Sequence, residues 1–160
     1  MLALTFLAPR VASAQAEREG FTLLVNLGVG FQTDTAVEES AVGLAGANLG
    51  LGGFLTPKLA LMGRFSGTNV SYDRFSQVSG TVAVSLQYWA NDFVAIEAGG
   101  AVGYWSTEGD ADSGPGLMFG VDFTVFNRGK HNLQVGVEYA PVFTSDPVHN
   151  LGITFGYQLF

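Results

Sequence analysis

From Phe21 to the end of the chain, large apolar residues alternate with small or polar ones at a spacing of two, and the alternation restarts eight times. In the first segment Phe21, Leu23, Val25, Leu27, Val29 and Phe31 alternate with Thr22, Leu24, Asn26, Gly28, Gly30 and Gln32. The second, about 43–55, sets Ala45, Ala47, Leu49 and Leu51 against Gly46, Asn48, Gly50 and Gly52. The third covers about 59–68. The fourth is the cleanest, with Val78, Val82, Val84, Leu86 and Tyr88 against Ser79, Thr81, Ala83, Ser85 and Gln87. The remaining four lie at 93–105, about 116–126, 132–139 and 150–159. A spacing of two predicts β-strands, and no stretch competes at helical spacing. Strands of this length suffice to cross a bilayer at a tilt, which takes about 9–11 residues.

The connections alternate too. Thr56-Pro57-Lys58, Trp89–Asp92 and Asn127–Lys130 read as short turns. Thr33–Val42, Asn69–Ser76, Ser106–Pro115 and Thr144–Val148 read as mostly longer loops. Short turns at one end and longer loops at the other predict an all-β, eight-stranded antiparallel up-and-down barrel, with both chain ends on the turn side.

Composition decides what surrounds that barrel. Hydrophobic residues make up 48% of the 160 and charged ones only 13%, against about 25% in an ordinary soluble domain. The polar stripe carries four charges, Arg64, Glu97, Asp122 and Glu138, too few for an exterior in water. Its many glycines, serines and amides suit the crowded middle of a narrow barrel. The apolar stripe carries no charge, as expected of a face in lipid, where a Lys or Arg at mid-bilayer costs about 2–4 kcal/mol. Aromatic residues gather near the strand ends. Phe21, Tyr88, Phe123 and Tyr157 lie toward the turns and Phe31, Tyr104 and Tyr139 toward the loops, which predicts two lipid-interface girdles.

Residues 1–16 stand apart. Met1–Pro9 is apolar and Val11–Gln15 holds an A-x-A cleavage pattern, so the segment reads as a cleaved signal peptide. Its basic leading region is missing, which implies a true start further upstream. Residues 17–20 then form a short lead-in to a barrel over 21–160. With no cysteine, the chain carries no disulfide evidence of its compartment.

Within the lumen, one arginine faces three carboxylates. Arg64 is expected to pair with Glu97 or Glu138, leaving Asp122 or the spare glutamate hydrogen-bonded, hydrated or protonated. This constellation reads first as a structural plug rather than an ion path or a catalytic site.

At this point the chain resembles the small eight-stranded outer-membrane barrels of Gram-negative bacteria, of the OmpX and OmpA transmembrane-domain type. The resemblance covers about residues 20–160 and rests on strand number, loop asymmetry and the final segment Leu151–Phe160. It implies an outer-membrane location with extracellular loops and periplasmic termini, in contact with outer-membrane lipids and lipopolysaccharide. It also implies a terminal signal for the barrel-assembly machinery, carried by Phe155, Tyr157 and Phe160. In the usual pattern the last aromatic shares the parity of the outward residues. Here Phe160 falls on the other parity, a departure that a bulge or frayed end would explain.

The net charge of −7 resides in the loops. They hold eight acids against Arg74, a balance of −7, while the turns carry +2, which argues against nucleic acid as a partner. Glu108, Asp110 and Asp112 are spaced like calcium ligands but lack the rest of an EF-hand loop, and a solvated loop is the simpler reading. Ser145, Asp146 and His149 are the residue types of a nucleophilic triad, yet Asp146 follows Ser145 directly, which does not suit a relay. His131 falls at the turn end, away from surface chemistry. No metal, haem or other cofactor is implied. The resulting expectation is a monomeric, non-enzymatic barrel with a plugged lumen and a structural, adhesive or surface-interaction role carried by its acidic loops. The alternatives are a narrow channel for small or apolar solutes and a lipid A-modifying hydrolase.

Overall fold

The computed structural model describes residues 18–34, 39–71, 76–107 and 110–160, with the side chains of 34, 39–40 and 45–47 left aside. The expected signal peptide, the first lead-in residue, Glu38, Asp73, Arg74 and Glu108 lie outside the described residues. Eight strands follow one another: β1 (Phe21–Asp34), β2 (Glu39–Thr56), β3 (Leu59–Ser71), β4 (Ser76–Trp89), β5 (Val94–Thr107), β6 (Asp110–Arg128), β7 (His131–Val142) and β8 (Val148–Leu159). Each pairs antiparallel with the next, and β8 returns to β1, so the sheet closes and no edge is left unpaired.

Three turns are tight for identifiable reasons. Pro57-Lys58 joins the paired residues Thr56 and Leu59. Gly129 adopts a positive φ of 60°, which a two-residue hairpin needs and glycine adopts without steric cost, between the paired Arg128 and His131. At the third turn the Asn91 Oδ1 accepts hydrogen bonds from the amides of Phe93 and Val94, at 2.8 and 3.0 Å, and so shapes the bend with its own side chain.

The apolar stripe faces outward. Val84, Ile153 and Phe155 are 65%, 55% and 56% exposed, while Thr81, Ser85, Gln87 and Gln158 on the polar stripe are almost wholly buried. Exposed aliphatics around the whole circumference form a belt that only lipid can cover at low cost. No described helix is long and apolar enough to cross a membrane.

Three irregularities depart from the simple alternation. Between Ala45 and Leu49, β2 carries one residue more than β1 and β3 oppose. Such a bulge inverts side-chain parity. Leu49 and Leu51 face out below it, but Val42 and Leu44 face out above it, opposite to the parity expected from Ala45 and Ala47. A second extra residue lies in β2 between Phe54 and Thr56. The third lies in β6 between Thr124 and Phe126, and there Val125 and Phe126 both face outward.

The loop regions are also shorter than the composition suggests. Ser106–Pro115 was expected to be a loop, yet β5 and β6 stay paired through Ser106↔Ala111 to Thr107↔Asp110. Backbone pairing continues because its hydrogen bonds are indifferent to the glycines, serines and acids that make the segment look irregular.

Candidate functional site: the packed lumen

Buried side chains fill the barrel in successive layers from the turn end to the loop end. At the turn end, Trp89 and Phe160 are buried, with centroids 5.3 Å apart and ring planes at 87°, and Phe54 closes on Phe160 edge-to-face at 5.7 Å. Leu24, Ala60 and Met62 continue this apolar floor. Arg18 of the lead-in caps it. Its guanidinium lies 4.0 Å from the Trp89 ring centroid and 5.4 Å from that of Phe160, and it bonds Asp92 at 3.2 Å. Burial pushes the Arg18 guanidinium below its ordinary pKa, and Asp92 opposes that shift.

Phe160 is thus neither frayed nor bulged outward. Its amide donates to the Lys130 carbonyl at 2.9 Å and its ring turns into the lumen. The inverted parity is the normal inward parity of β8, continued by one residue. Of the other residues expected to signal assembly, Phe155 faces outward and Tyr157 is half-buried.

Above this floor runs a band of amides. Gln158 donates to Thr22 Oγ1 at 3.0 Å and to Gln87 Oε1 at 2.8 Å, and the Trp89 indole donates to the same Gln87 oxygen at 3.3 Å. The charged layer comes next. Arg64 Nη1 lies 2.6 Å from Glu97 Oε2 and Nη2 lies 3.0 Å from Glu138 Oε2, so Arg64 takes both glutamates rather than one of them. Asn48 donates to Glu138 at 3.0 Å, Ser66 donates to the same carboxylate, and Ser85 donates to Glu97. Five strands meet in this network: β2, β3, β5 and β7, and β4 through Ser85. Asp122, the third carboxylate, is buried on β6, and no hydrogen bond or ion pair reaches its side chain from a described residue.

Toward the loops, the Ser79 hydroxyl shares its one proton between Gln32 Oε1 and Asn150 Oδ1, at 3.1 and 2.9 Å. Val70, Val142, Val148 and Trp105 are buried nearer the loop end. The Trp105 indole donates to Thr144 Oγ1 at 3.2 Å, which ties the β7–β8 loop to β5. The inward placement of Trp89 and Trp105 was legible, since each follows an outward tyrosine, Tyr88 or Tyr104, by one residue.

The girdle residues Phe21, Phe31, Tyr88, Tyr104, Phe123 and Tyr139 all face outward, joined by Phe93, Phe126 and Phe143, which the alternation did not single out. Both histidines are tied to these rings. His131 Nδ1 is 2.5 Å from the Tyr157 hydroxyl, and His149 Nδ1 is 2.8 Å from that of Tyr139. Ser145 turns away from His149: its hydroxyl donates to Asp112 at 2.9 Å and its amide to the same oxygen at 3.3 Å. The Ser145–Asp146–His149 grouping is therefore not assembled as a relay. Asp112 is likewise committed, its other oxygen accepting from the Ser113 amide at 2.7 Å, and Asp110 accepts from the Ala111 amide. Among the described residues no group of three acidic, histidine or cysteine side chains is arranged to hold a metal ion.

No protein-family model matches this chain, and no curated protein sequence does. Solved structures do. The attachment invasion locus protein Ail of Yersinia pestis superposes with a TM-score of 0.56 at 16% identity, over 88% of this chain and 99% of Ail. Neisserial surface protein A gives 0.60 at 14% identity, over 88% and 96%. The outer membrane protein OprG from Pseudomonas aeruginosa gives 0.52 at 11% identity, over 91% and 98%. At such identities the likeness is one of fold. With its lipid-facing belt and filled lumen, this chain has the fold of the small Gram-negative outer-membrane β-barrels.

Proposed function

We propose that the protein sits in the bacterial outer membrane as a plugged barrel, with its acidic loop end outside the cell, its turn end in the periplasm, and a role in surface contact or adhesion. The observation that carries this reading is the length of the loop-end hairpins on a barrel whose interior is occupied. β2 and β6 run 18 and 19 residues, against about 9–11 needed to span a bilayer, and the β5–β6 excess lies on the loop side. These hairpins hold paired backbone beyond the belt and present Asp110, Asp112 and Asp146 to solvent. On this reading Trp105 and Val142 close the lumen at one end and Trp89 and Phe160 at the other, and the burial of all four supports it. Display rather than conduction fits that division. Ail, named for attachment and invasion, shares the architecture and supports the same direction.

On this reading the outward aromatics sit at the two lipid interfaces, the barrel-assembly machinery receives β8 with Phe155 and Tyr157 on its outer side, and the barrel works as a monomer among outer-membrane lipids and lipopolysaccharide. The test replaces residues 108–113 with a Gly-Ser linker and compares adherence of cells expressing either form. Loss of adherence, with heat-modifiable gel mobility retained, is the expected result. Equal adherence overturns the adhesive role, and a stable large conductance of the purified protein in planar bilayers overturns the plug.

A further inference from the structure

The outward face of the barrel is not uniform. From Phe21 to Phe31 on β1 and from Leu151 to Tyr157 on β8, every outward position carries a large side chain. Toward the turn end of β2 and β3 that pattern is broken by Gly53 and Gly63. Gly53 pairs with Leu61 and Gly63 with Leu51, so both glycines share a face with exposed leucines. Their missing side chains leave a groove of about 450 Å³, walled by Leu51, Leu55 and Leu61 and, on β4, by Val84. That volume falls within the range of about 300–1,000 Å³ typical of small-ligand sites. The lining is almost wholly apolar, which suits a hydrocarbon chain.

The turn end of this groove carries polar groups. Lys58 occupies the β2–β3 turn, and its carbonyl accepts from the Trp89 amide at 2.8 Å, which fastens the turn to the end of β4. Tyr88, the residue before Trp89, pairs with Leu59 and is 47% exposed on the outward face. A cation and a phenol are thus held on adjoining backbone. Arg18, another cation at this end, is bonded to Asp92, whereas no described residue bonds the Lys58 ammonium. Tyr88 and Val84 stand four residues apart, about 13 Å along the strand. Half of a hydrocarbon core is about 15 Å deep, so the groove lies within the leaflet at the turn end.

We propose that this groove docks one glycerophospholipid of the turn-end leaflet, its phosphate at Lys58 and Tyr88 and an acyl chain lying over Gly53 and Gly63. Charge complementarity supplies the head end, because a lysine at a membrane surface attracts phosphate. Glycine supplies the tail end, since a strand without side chains lets a ligand approach its backbone. Docking of a lipid follows from the position of the groove in the apolar belt. The choice of a phospholipid over lipopolysaccharide rests on the proposed placement of the turn end in the periplasm.

The experiment is native mass spectrometry of the full protein, extracted in mild detergent from membranes of Gram-negative cells that express it. One retained adduct with the mass of a glycerophospholipid is expected. Gly63→Leu should abolish it, and a Cβ there meets only the Leu51 carbonyl at 3.7 Å, so the change fills the groove without crowding the wall. Gly67→Leu makes the same change further up β3, where a Cβ meets only the Ser79 carbonyl at 3.6 Å, and should retain the adduct. Lys58→Gln, in an exposed turn, keeps the test open if Gly63→Leu does not fold, and should lower retention about fivefold. Absence of the adduct from the unaltered protein overturns the proposal, as does undiminished retention in either folded variant or equal loss in Gly67→Leu. A lipopolysaccharide adduct sensitive to Gly63→Leu overturns it together with the proposed orientation. A dimer sensitive to Gly63→Leu gives the groove to a second copy and overturns it alone. Adherence and conductance are untouched by these outcomes, so the surface role and the plug are tested separately.

Discussion

The Phe160 ring stands edge-on to Trp89, 5.3 Å between centroids, inside the turn end of the barrel. Phe160 is therefore part of the floor of the lumen, joined to it by the Lys130 carbonyl and by Arg18 of the lead-in. Arg18 and Phe160 thus meet in one cluster, although nearly the whole barrel sequence separates them.

That cluster sets a first expectation. Trp89→Ala empties the largest fully buried side chain and should cost about 3–5 kcal/mol of stability in urea titrations of vesicle-inserted protein. Arg18→Ala, which removes cation–π contacts and one ion pair, should cost less, about 0.5–2 kcal/mol. If Arg18→Ala proves the more damaging, the floor is held by charge and not by packing.

The charged layer predicts a non-additive series. Arg64→Ala leaves two buried glutamates unneutralised and should destabilise the barrel by about 3–5 kcal/mol. Adding Glu97→Gln and Glu138→Gln to an Arg64→Met background should recover most of that loss, since burying neutral amides avoids the uncompensated charge. A triple variant as unstable as the single one would show that the guanidinium acts through its hydrogen-bond geometry.

At the loop end, the Ser113 amide first, and then the Ser145 hydroxyl and amide, hold the Asp112 carboxyl below the usual aspartate range. A lowered folded pKa means that the Asp112–Ser145 link is present above the ordinary value and is lost as pH falls through the lowered one. In a Trp89→Phe background, Trp105 fluorescence should report that opening through its bond to Thr144, with a midpoint below the usual aspartate range. Ser145→Ala should move the midpoint upward part of the way, because the Ser113 amide remains. An unchanged midpoint separates Asp112 from the loop.

Two glycines on the wall should behave oppositely. A Cβ on Gly28 would fall on the backbone oxygen of Ile153, beside the β1–β2 register shift, so Gly28→Ala should cost about 1–3 kcal/mol. Gly100 has open space before it, on the outward face, and Gly100→Ala should stay within about 0.5 kcal/mol of the parent. Denaturant midpoints of the two variants, folded side by side, check this.

Much of the candidate site was readable in one dimension because the lumen residues sit on a strict parity. Arg64, Glu97, Asp122 and Glu138 share the polar stripe, and a closed barrel must bring that stripe to its axis. Which carboxylate each charge meets was not readable. Partners such as Arg64 and Glu138 lie 74 residues apart and touch across the lumen, where strand stagger decides their relative heights. The same limit hid the Ser145–Asp112 contact, made between two hairpins that the sequence places 33 residues apart.

The alternation of apolar and polar positions by itself determined the number of strands, their antiparallel order and the face that meets lipid, because side chains on a strand point to opposite sides and a membrane tolerates only one kind of outer face. Only the tertiary structure decided the rest. The bulges in β2 and β6 arise where neighbouring strands must match in length around a closed ring. The turn-end floor forms because closure brings Arg18, Trp89 and Phe160 to one height. Asp122 stays outside the pairing because the two Arg64 terminal nitrogens are directed at Glu97 and Glu138 on other strands.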